Sequence, residues 1–264
     1  MSNLFWLTDA QMARLEPFFP NSHGKPRVDD RRVLSGIIFI NRNGLRWCDA
    51  PREYGPPKTL YNRWNHWSRM GVFTRFMTGL AAEAADEKTI MIEVSRRTPC
   101  VRVSLRKYLK AHRTASSLRF KKGGRGRLIG RTKGGMNTKL HAFADAQGRP
   151  ISMFITAGPV NDYTGAAAML RSLPQAEWML ADRGYDADWF RDALKDKGIK
   201  ACIPGRKGRK KAIGDDKRRY KRRNRIEIMF GRLKDWRRVA TREARCPIVF
   251  LSAIALAATV LFWL

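Results

Sequence analysis

Residues 217–238 read KRRYKRRNRIEIMFGRLKDWRR, and the interpretation of the whole chain starts from them. The stretch contains one glycine and no proline, so its composition predicts a helix throughout. At about 100° per residue, four polar side chains share one stripe roughly 60° wide: Tyr220, Arg223, Glu227 and Lys234. Apolar side chains fall beside that stripe: Ile226, Met229, Phe230, Leu233 and Trp236. We therefore expect the helix to pack one face into a core and to present a lone carboxylate among cations at its edge.

A carboxylate held among bases suits two roles. A divalent metal takes carboxylate oxygens as ligands, and a polyanion is bound by neighbouring cations. The alternative is a basic surface helix in which Glu227 serves only as a charge partner one turn away from a cation.

The charge balance indicates the class of partner. Lys and Arg number 53 and Asp and Glu 23, which gives a formal net charge of +30 and a pI near 11.0. Such a balance attracts nucleic acid or an anionic membrane. A hydrophobic content of 44% excludes a disordered basic tail, so we expect a folded cationic protein.

Four scattered cysteines, with no C-x-x-C pair, exclude the usual zinc ribbons and a disulfide framework and favour a reduced, cytoplasmic compartment. The N-terminus lacks a basic segment followed by an apolar run, so no signal peptide is predicted. Residues 247–264 are free of charge, but they are Ala-rich and lack a basic flank beyond them. A buried terminal helix is the favoured interpretation, and no membrane partner is expected.

Residues 1–85 are predicted to form an all-α, helix-turn-helix-like domain that binds DNA. Capping residues and glycine terminators bound helices that end near Phe18, Gly44 and Gly71, and a last helix ends near Asp86. The third of them, LYNRWNHWSRMG, supplies the predicted DNA-contacting side chains Arg63, Asn65 and Arg69. Trp64 and Trp67 on the same helix are expected in the core.

Residues 86–264 alternate between strand and helix patterns and predict a mixed sheet wrapped by helices. Strands are expected at 89–94, in a hairpin over 138–158, at 176–182 and at 199–204, with helices at 162–173 and 186–198. His141 in the hairpin is expected to be a core histidine. The glycine-rich basic tract within 116–135 matches no phosphate-binding loop, and is either a mobile cationic loop against a phosphate backbone or a solvated linker.

Asp182 at the end of a predicted strand and Glu227 on the later helix are the pieces of a two-metal site. Two divalent ions roughly 3.5–4 Å apart, bridged by carboxylates, can activate an attacking oxygen and neutralise the leaving one. Arg223 and Lys234 would then bind phosphate oxygens.

The residues resemble the DDE transposases of bacterial insertion sequences, in the group usually numbered four and five. Tyr220, Arg223, Glu227 and Lys234 have the spacings of that family's C-terminal signature, and LADRGYD (180–186) is similar to the segment with its second catalytic Asp. The segments YLKAHRTA (108–115) and GRTKGGMNTKLHA (130–142) are similar to its catalytic core. The resemblance covers nearly the whole chain. It implies a ribonuclease H-like fold, two Mg²⁺ or Mn²⁺ ions, and Asp182 and Glu227 as catalytic metal ligands.

The resemblance also implies the partners. Double-stranded DNA is expected, as terminal inverted repeats and as target, with Tyr220, Arg223 and Lys234 on its phosphates. The implied reaction is hydrolytic cleavage at the ends of the element and attack of the freed 3′-hydroxyl on target DNA. A homodimer on DNA and a nucleoid-associated location are expected by analogy.

The first acidic position departs from the family pattern. An Asp is expected there, but the strand MIEV offers Glu93 as tentative catalytic residue and metal ligand, and the tract 94–105 looks like an insertion. The added methylene of Glu moves its oxygens by more than about 1 Å. Three hypotheses therefore stay open: an active transposase, a catalytically impaired copy that only binds DNA, and a ribonuclease H-type nuclease indifferent to repeat sequence.

Overall fold

The computed structural model describes residues 4–20, 29–84, 89–94, 109–116, 124–133, 135–160, 167, 168, 170, 173, 175–206, 208, 209, 213 and 216–264. The chain divides into two compact units. Unit 1 contains residues 1–83, 111–127 and 232–264, and unit 2 contains residues 84–110 and 128–231. The sequence-based division at residues 85 and 86 groups the chain differently, because residues 232–264 cluster with the N-terminal helices.

Unit 1 is built of helices. They are α1 (Asp9–Leu15), α2 (Asp30–Asn43), α3 (Pro57–Arg69), α4 (Val72–Glu83), α5 (Arg113–Ser116), α9 (Arg237–Ala240) and α10 (Pro247–Phe262), with the short strand β8 (Thr241–Arg242). Thr8 caps α1 in a capping box with Gln11, and Gly44, with φ +68°, ends α2. The helix α3 begins at Pro57 instead of after Thr59, because proline is favoured in the first turn, where no N–H is needed.

The C-terminal helix α10 packs on α2, α3 and α4. Its residues from Ser252 to Thr259 are all buried, which confirms the predicted buried terminal helix. In the described part of the chain, none of the helices combines the length and the apolar character needed to cross a bilayer.

Unit 2 contains a mixed sheet. Its strands are β1 (Thr89–Val94), β2 (Leu109–Ala111), β3 (Gly130–Thr132), β4 (Gly135–Ala144), β5 (Pro150–Ala157), β6 (Trp178–Ala181) and β7 (Lys200–Cys202). The long strand β4 pairs antiparallel with β1, β2, β3 and β5, whereas β1, β6 and β7 run parallel to one another. The central order is β5-β4-β1-β6-β7, three antiparallel strands followed by two parallel ones. This mixed sheet with its helices confirms the expected mixed α/β fold.

A helix covers the sheet of unit 2. Phe190 and Leu194 of α6 (Asp188–Asp196) pack against Ile90 and Ile92 of β1 and Met179 of β6. The helix predicted at 162–173 lies mostly outside the described residues. The basic tract 116–135 is partly ordered structure, because β3 pairs with β4, so neither a mobile loop nor a linker describes it over residues 130–132. Residues 117–123 of the tract lie outside the described residues.

The helix predicted over residues 217–238 is broken into pieces. It consists of α7 (Lys217–Tyr220), a 3₁₀ turn (Lys221–Arg223), α8 (Asn224–Leu233), a turn, and α9. Before the first break, cations face cations one helical turn apart at 217 and 221, 218 and 222, and 219 and 223. Like charges at this spacing destabilise an α-helix, which explains the tighter turn. The prediction of one continuous helix is therefore wrong.

Candidate active site

Asp182 directly follows β6, at the carboxyl end of a parallel strand. Its Oδ1 accepts a hydrogen bond of 2.7 Å from the backbone N–H of Gly184, which caps the 3₁₀ turn Arg183–Tyr185. The side chain is only half-buried. The carboxylate is thus held by its own turn, in the position in which ligands meet in sheets with parallel strands.

The strand beside β6 carries the predicted first acid, Glu93. Ile92 of β1 is in register with Ala181 of β6, so the next residues along the two parallel strands are Glu93 and Asp182. On the other side, Glu93 is in register with Ala142 of β4. The backbone therefore brings these two acidic positions to the same end of adjacent strands. The side chain of Glu93 lies outside the described atoms.

Glu227 lies in the first turn of α8 and pairs with Arg223. Its Oε1 accepts a 2.6 Å hydrogen bond from Nη2 of Arg223, and the two side chains are 25% and 14% exposed. This contact confirms the prediction that Arg223 and Glu227 are neighbours on one face of the helix. A pair so little exposed is less weakened by solvent than a surface ion pair.

Tyr220 is influenced by two acids that are far apart in sequence. Burial, as the largest cause, and then the charges of Asp182 and Glu227 together raise the pKa of its phenol to about 12, against an opposing contribution from Arg183. Both carboxylates therefore act on the same hydroxyl group. The Arg223 guanidinium lies 5.4 Å from the centre of the Tyr220 ring. Unit 2 thus brings together Asp182, Tyr220, Arg223 and Glu227, while Lys234 lies in the turn after α8.

The described residues include carboxylates, whose oxygens can act as ligands of a divalent metal. Carboxylate oxygens are the preferred ligands of Mg²⁺, which needs few of them because it retains waters. Among the described residues, no group of three or more His, Cys, Asp or Glu side chains is close enough to hold a metal. Asp182 and Glu227 are the residues that could hold one, with Glu93 at the backbone position for a third ligand.

The other predicted residues divide into core and surface. Trp64 and Trp67 are buried, as expected, and Arg63 is half-buried with its guanidinium 5.7 Å from the Trp67 ring centre. Asn65 donates to the Tyr61 carbonyl, and Arg69 is exposed. Sequence reasoning missed three exposed residues of α3 on that face, Lys58, Tyr61 and Asn62, whose spacing to Asn65 and Arg69 could have revealed them.

His141 is a core residue, as expected. It is fully buried in β4, its ring stacks on Phe154 at 4.5 Å, and its Nε2 lies 2.8 Å from Oγ1 of Thr156. These contacts explain the position of the imidazole ring, and no catalytic role is needed to explain it.

Comparison with known proteins shows which family the chain belongs to. A family described as "Transposase DDE domain" matches residues 108–263, more than half of the chain. The chain belongs to this family. A second family, described as "Putative transposase of IS4/5 family", matches residues 7–77 of the transposase. Both matches agree with the resemblance seen in the motifs, and the insertion-sequence transposases are a class of DNA-cleaving and strand-transferring enzymes.

The sequence relatives include a protein named as a transposase and an uncharacterized protein. The transposase is 36% identical over 131 residues to a "Putative transposase for insertion sequence element IS6501" of Brucella ovis, covering 49% of this chain and 99% of that one. It is 32% identical over 122 residues to an uncharacterized protein, y4sN, of Sinorhizobium fredii, covering 45% and 87%. Among solved structures, a Mos1 transposase paired-end complex is 11% identical with a TM-score of 0.26, covering 83% and 82%, and such a low score carries no argument.

Proposed function

We propose that this transposase binds the terminal inverted repeats of its element, cleaves them and transfers the freed ends to target DNA. The observation that carries the proposal is that the charges of Asp182 and Glu227 both raise the pKa of the Tyr220 phenol, in a chain of the DDE family. Two acids 45 positions apart have no reason of local structure to lie near one phenol. A shared metal on a DNA strand gives them one.

In the proposal, two Mg²⁺ or Mn²⁺ ions held by Asp182 and Glu227, with Glu93 as third ligand, would supply charge neutralisation and activation of the attacking oxygen. Arg223 orients Glu227 through their 2.6 Å hydrogen bond and adds positive charge for a phosphate. Tyr220, with a pKa of about 12, stays protonated near neutral pH and can donate its O–H to a phosphate oxygen. Lys234 is assigned to the DNA backbone as well.

DNA binding is proposed for α3 of unit 1. The helix contains Lys58, Arg63 and Arg69 but no acidic residue, which suits a polyanion. Because Arg63 is partly engaged by Trp67, we assign base contacts to the exposed face with Asn65 and Arg69. A homodimer on DNA, which would join two ends, is part of the same proposal.

The test is metal-dependent nicking of DNA that carries the inverted repeats. We expect the wild type to nick with Mg²⁺ or Mn²⁺, and Asp182→Asn and Glu227→Gln to lose nicking while they still bind the DNA. Asp192→Asn, an exposed acid of α6 in the same unit, is the matched control and should nick normally. Unchanged nicking by either site variant refutes the assignment, and nicking indifferent to the repeats favours a general nuclease.

A second candidate function is a catalytically impaired copy that only occupies the ends. The observation that favours it is Glu93 at the strand position where the family resemblance implies an Asp. It predicts repeat-specific, salt-sensitive DNA binding without cleavage. Glu93→Asp, alone and with residues 94–105 removed, decides between the two: gained cleavage supports impairment, and unchanged wild-type cleavage supports the active enzyme.

A further inference from the structure

Asp186, a second acid of the segment LADRGYD, is buried and accepts hydrogen bonds from three donors. Its side chain is 0% exposed. Its Oδ1 accepts 2.9 Å hydrogen bonds from Nε of Arg191 and Nη1 of Arg209, and its Oδ2 accepts a 2.8 Å bond from the backbone N–H of Arg206. A buried carboxylate is retained in a fold only when such partners compensate its lost hydration.

The donors come from two segments that are separate in sequence. Arg191 belongs to α6, whereas Arg206 and Arg209 belong to the basic loop that follows β7. Arg191 also donates to the Ile203 carbonyl at 2.6 Å, at the start of that loop. Through these hydrogen bonds, Asp186 joins the basic loop after β7 to α6 and to the turn after β6.

Hydrogen bonds continue from Asp186 to Asp182. The Arg206 backbone binds Asp186, and its Nη2 donates to the Gly184 carbonyl at 3.1 Å. The N–H of the same Gly184 donates to Oδ1 of Asp182 at 2.7 Å. Gly184 thus accepts a hydrogen bond from the loop through its carbonyl oxygen and donates one to the Asp182 carboxylate through its N–H.

We propose that Asp186 is a positioning residue for Asp182. It anchors the loop of Arg206 and Arg209 on the turn Arg183–Tyr185, and thereby fixes the backbone that orients the Asp182 carboxylate for metal. The catalytic half of this inference rests on the proposed function, whereas the anchoring half does not. A misplacement of a metal ligand by about 1 Å is enough to lower a rate strongly.

Two variants test the anchor, with one matched control. Asp186→Asn removes the buried charge but keeps the side-chain shape. Arg206→Met, at an exposed residue, removes the bond to the Gly184 carbonyl and keeps the backbone N–H that binds Asp186. The control is Asp188→Asn, because Asp188 is 79% exposed and pairs with the same Arg209 from outside the buried cluster.

The first measurement is the rate of tryptic cleavage after Arg206 and Arg209 in the native full chain. Loss of a buried charge partner should release the loop, so we expect cleavage to be about tenfold faster or more in Asp186→Asn and unchanged in Asp188→Asn. A wild-type cleavage rate in Asp186→Asn overturns the anchor.

The second measurement is the Mg²⁺ concentration that gives half-maximal nicking of inverted-repeat DNA. We expect it to rise about tenfold in Asp186→Asn and severalfold in Arg206→Met, with the affinity for DNA and the unfolding temperature of Arg206→Met unchanged. Wild-type Mg²⁺ dependence in both variants overturns the positioning role. If the wild type itself does not nick, the proposed function fails, while the tryptic rates still decide whether Asp186 anchors the loop.

Discussion

The pKa of Tyr220 offers a direct test of whether Asp182 acts on the same hydroxyl group as Glu227. The perturbation is Asp182→Asn, which removes one negative charge and keeps the size of the side chain. The phenol pKa is raised from 10.0 to about 12, which corresponds to an approximate cost of 3 kcal/mol for forming the phenolate. Burial is the largest cause, so removing one charge should lower the pKa only in part and leave it above 10.0. Glu227→Gln should lower it in the same direction.

The assay is an ultraviolet absorbance titration of tyrosinate, recorded after rapid pH jumps so that the folded protein is observed. Tyr220→Phe identifies the transition that belongs to this residue among the six tyrosines. Asp192→Asn, with its exposed carboxylate on α6, is the control and should leave the titration unchanged. A Tyr220 pKa that does not move in Asp182→Asn would refute the claim that the charges of both carboxylates act on this phenol.

Three further variants test the scaffold. Gly148→Ala places a Cβ 2.9 Å from the Arg225 carbonyl oxygen at a φ of +85°, so urea unfolding should show a loss of about 1–3 kcal/mol beyond that of Gly198→Ala, which has φ +72° and open space. Arg242→Met should cost about 2–4 kcal/mol in the same assay, because the fully buried guanidinium donates to three backbone carbonyls. Burial raises the pKa of Asp186, but its N–H and guanidinium partners outweigh burial and leave the pKa below 3.8. Its stabilisation is therefore present above pH 3.8 and lost as the pH falls through the folded-state pKa, and Asp186→Asn should lack that part of the acid-unfolding profile.

Local periodicity predicted the elements that carry the site. The β-branched run of β1 and the alternation along β4 and β5 are properties of neighbouring residues, and the structure has these strands where the pattern indicates them. The contact between Arg223 and Glu227 was also predictable, because one helical turn separates them.

Contacts between distant residues were not predictable from such patterns. Asp186 and Arg209 are 23 positions apart, and nothing in their local sequence shows that a buried carboxylate joins them. Helix-forming composition alone does not predict the 3₁₀ turn at residues 221–223, because it does not include the repulsion between cations one helical turn apart. The grouping of residues 232–264 with the N-terminal helices depends on which helices α10 packs against. Its hydrophobicity predicts that α10 is buried, but not its packing partners.

The most direct test of a shared metal site is binding of Mn²⁺ to the full chain, measured by electron paramagnetic resonance. We expect Mn²⁺ bound by the wild type and by Asp192→Asn, and lost in both Asp182→Asn and Glu227→Gln, because one ion would need oxygens from both elements. Binding that survives the loss of either carboxylate would contradict a site formed jointly by Asp182 and Glu227.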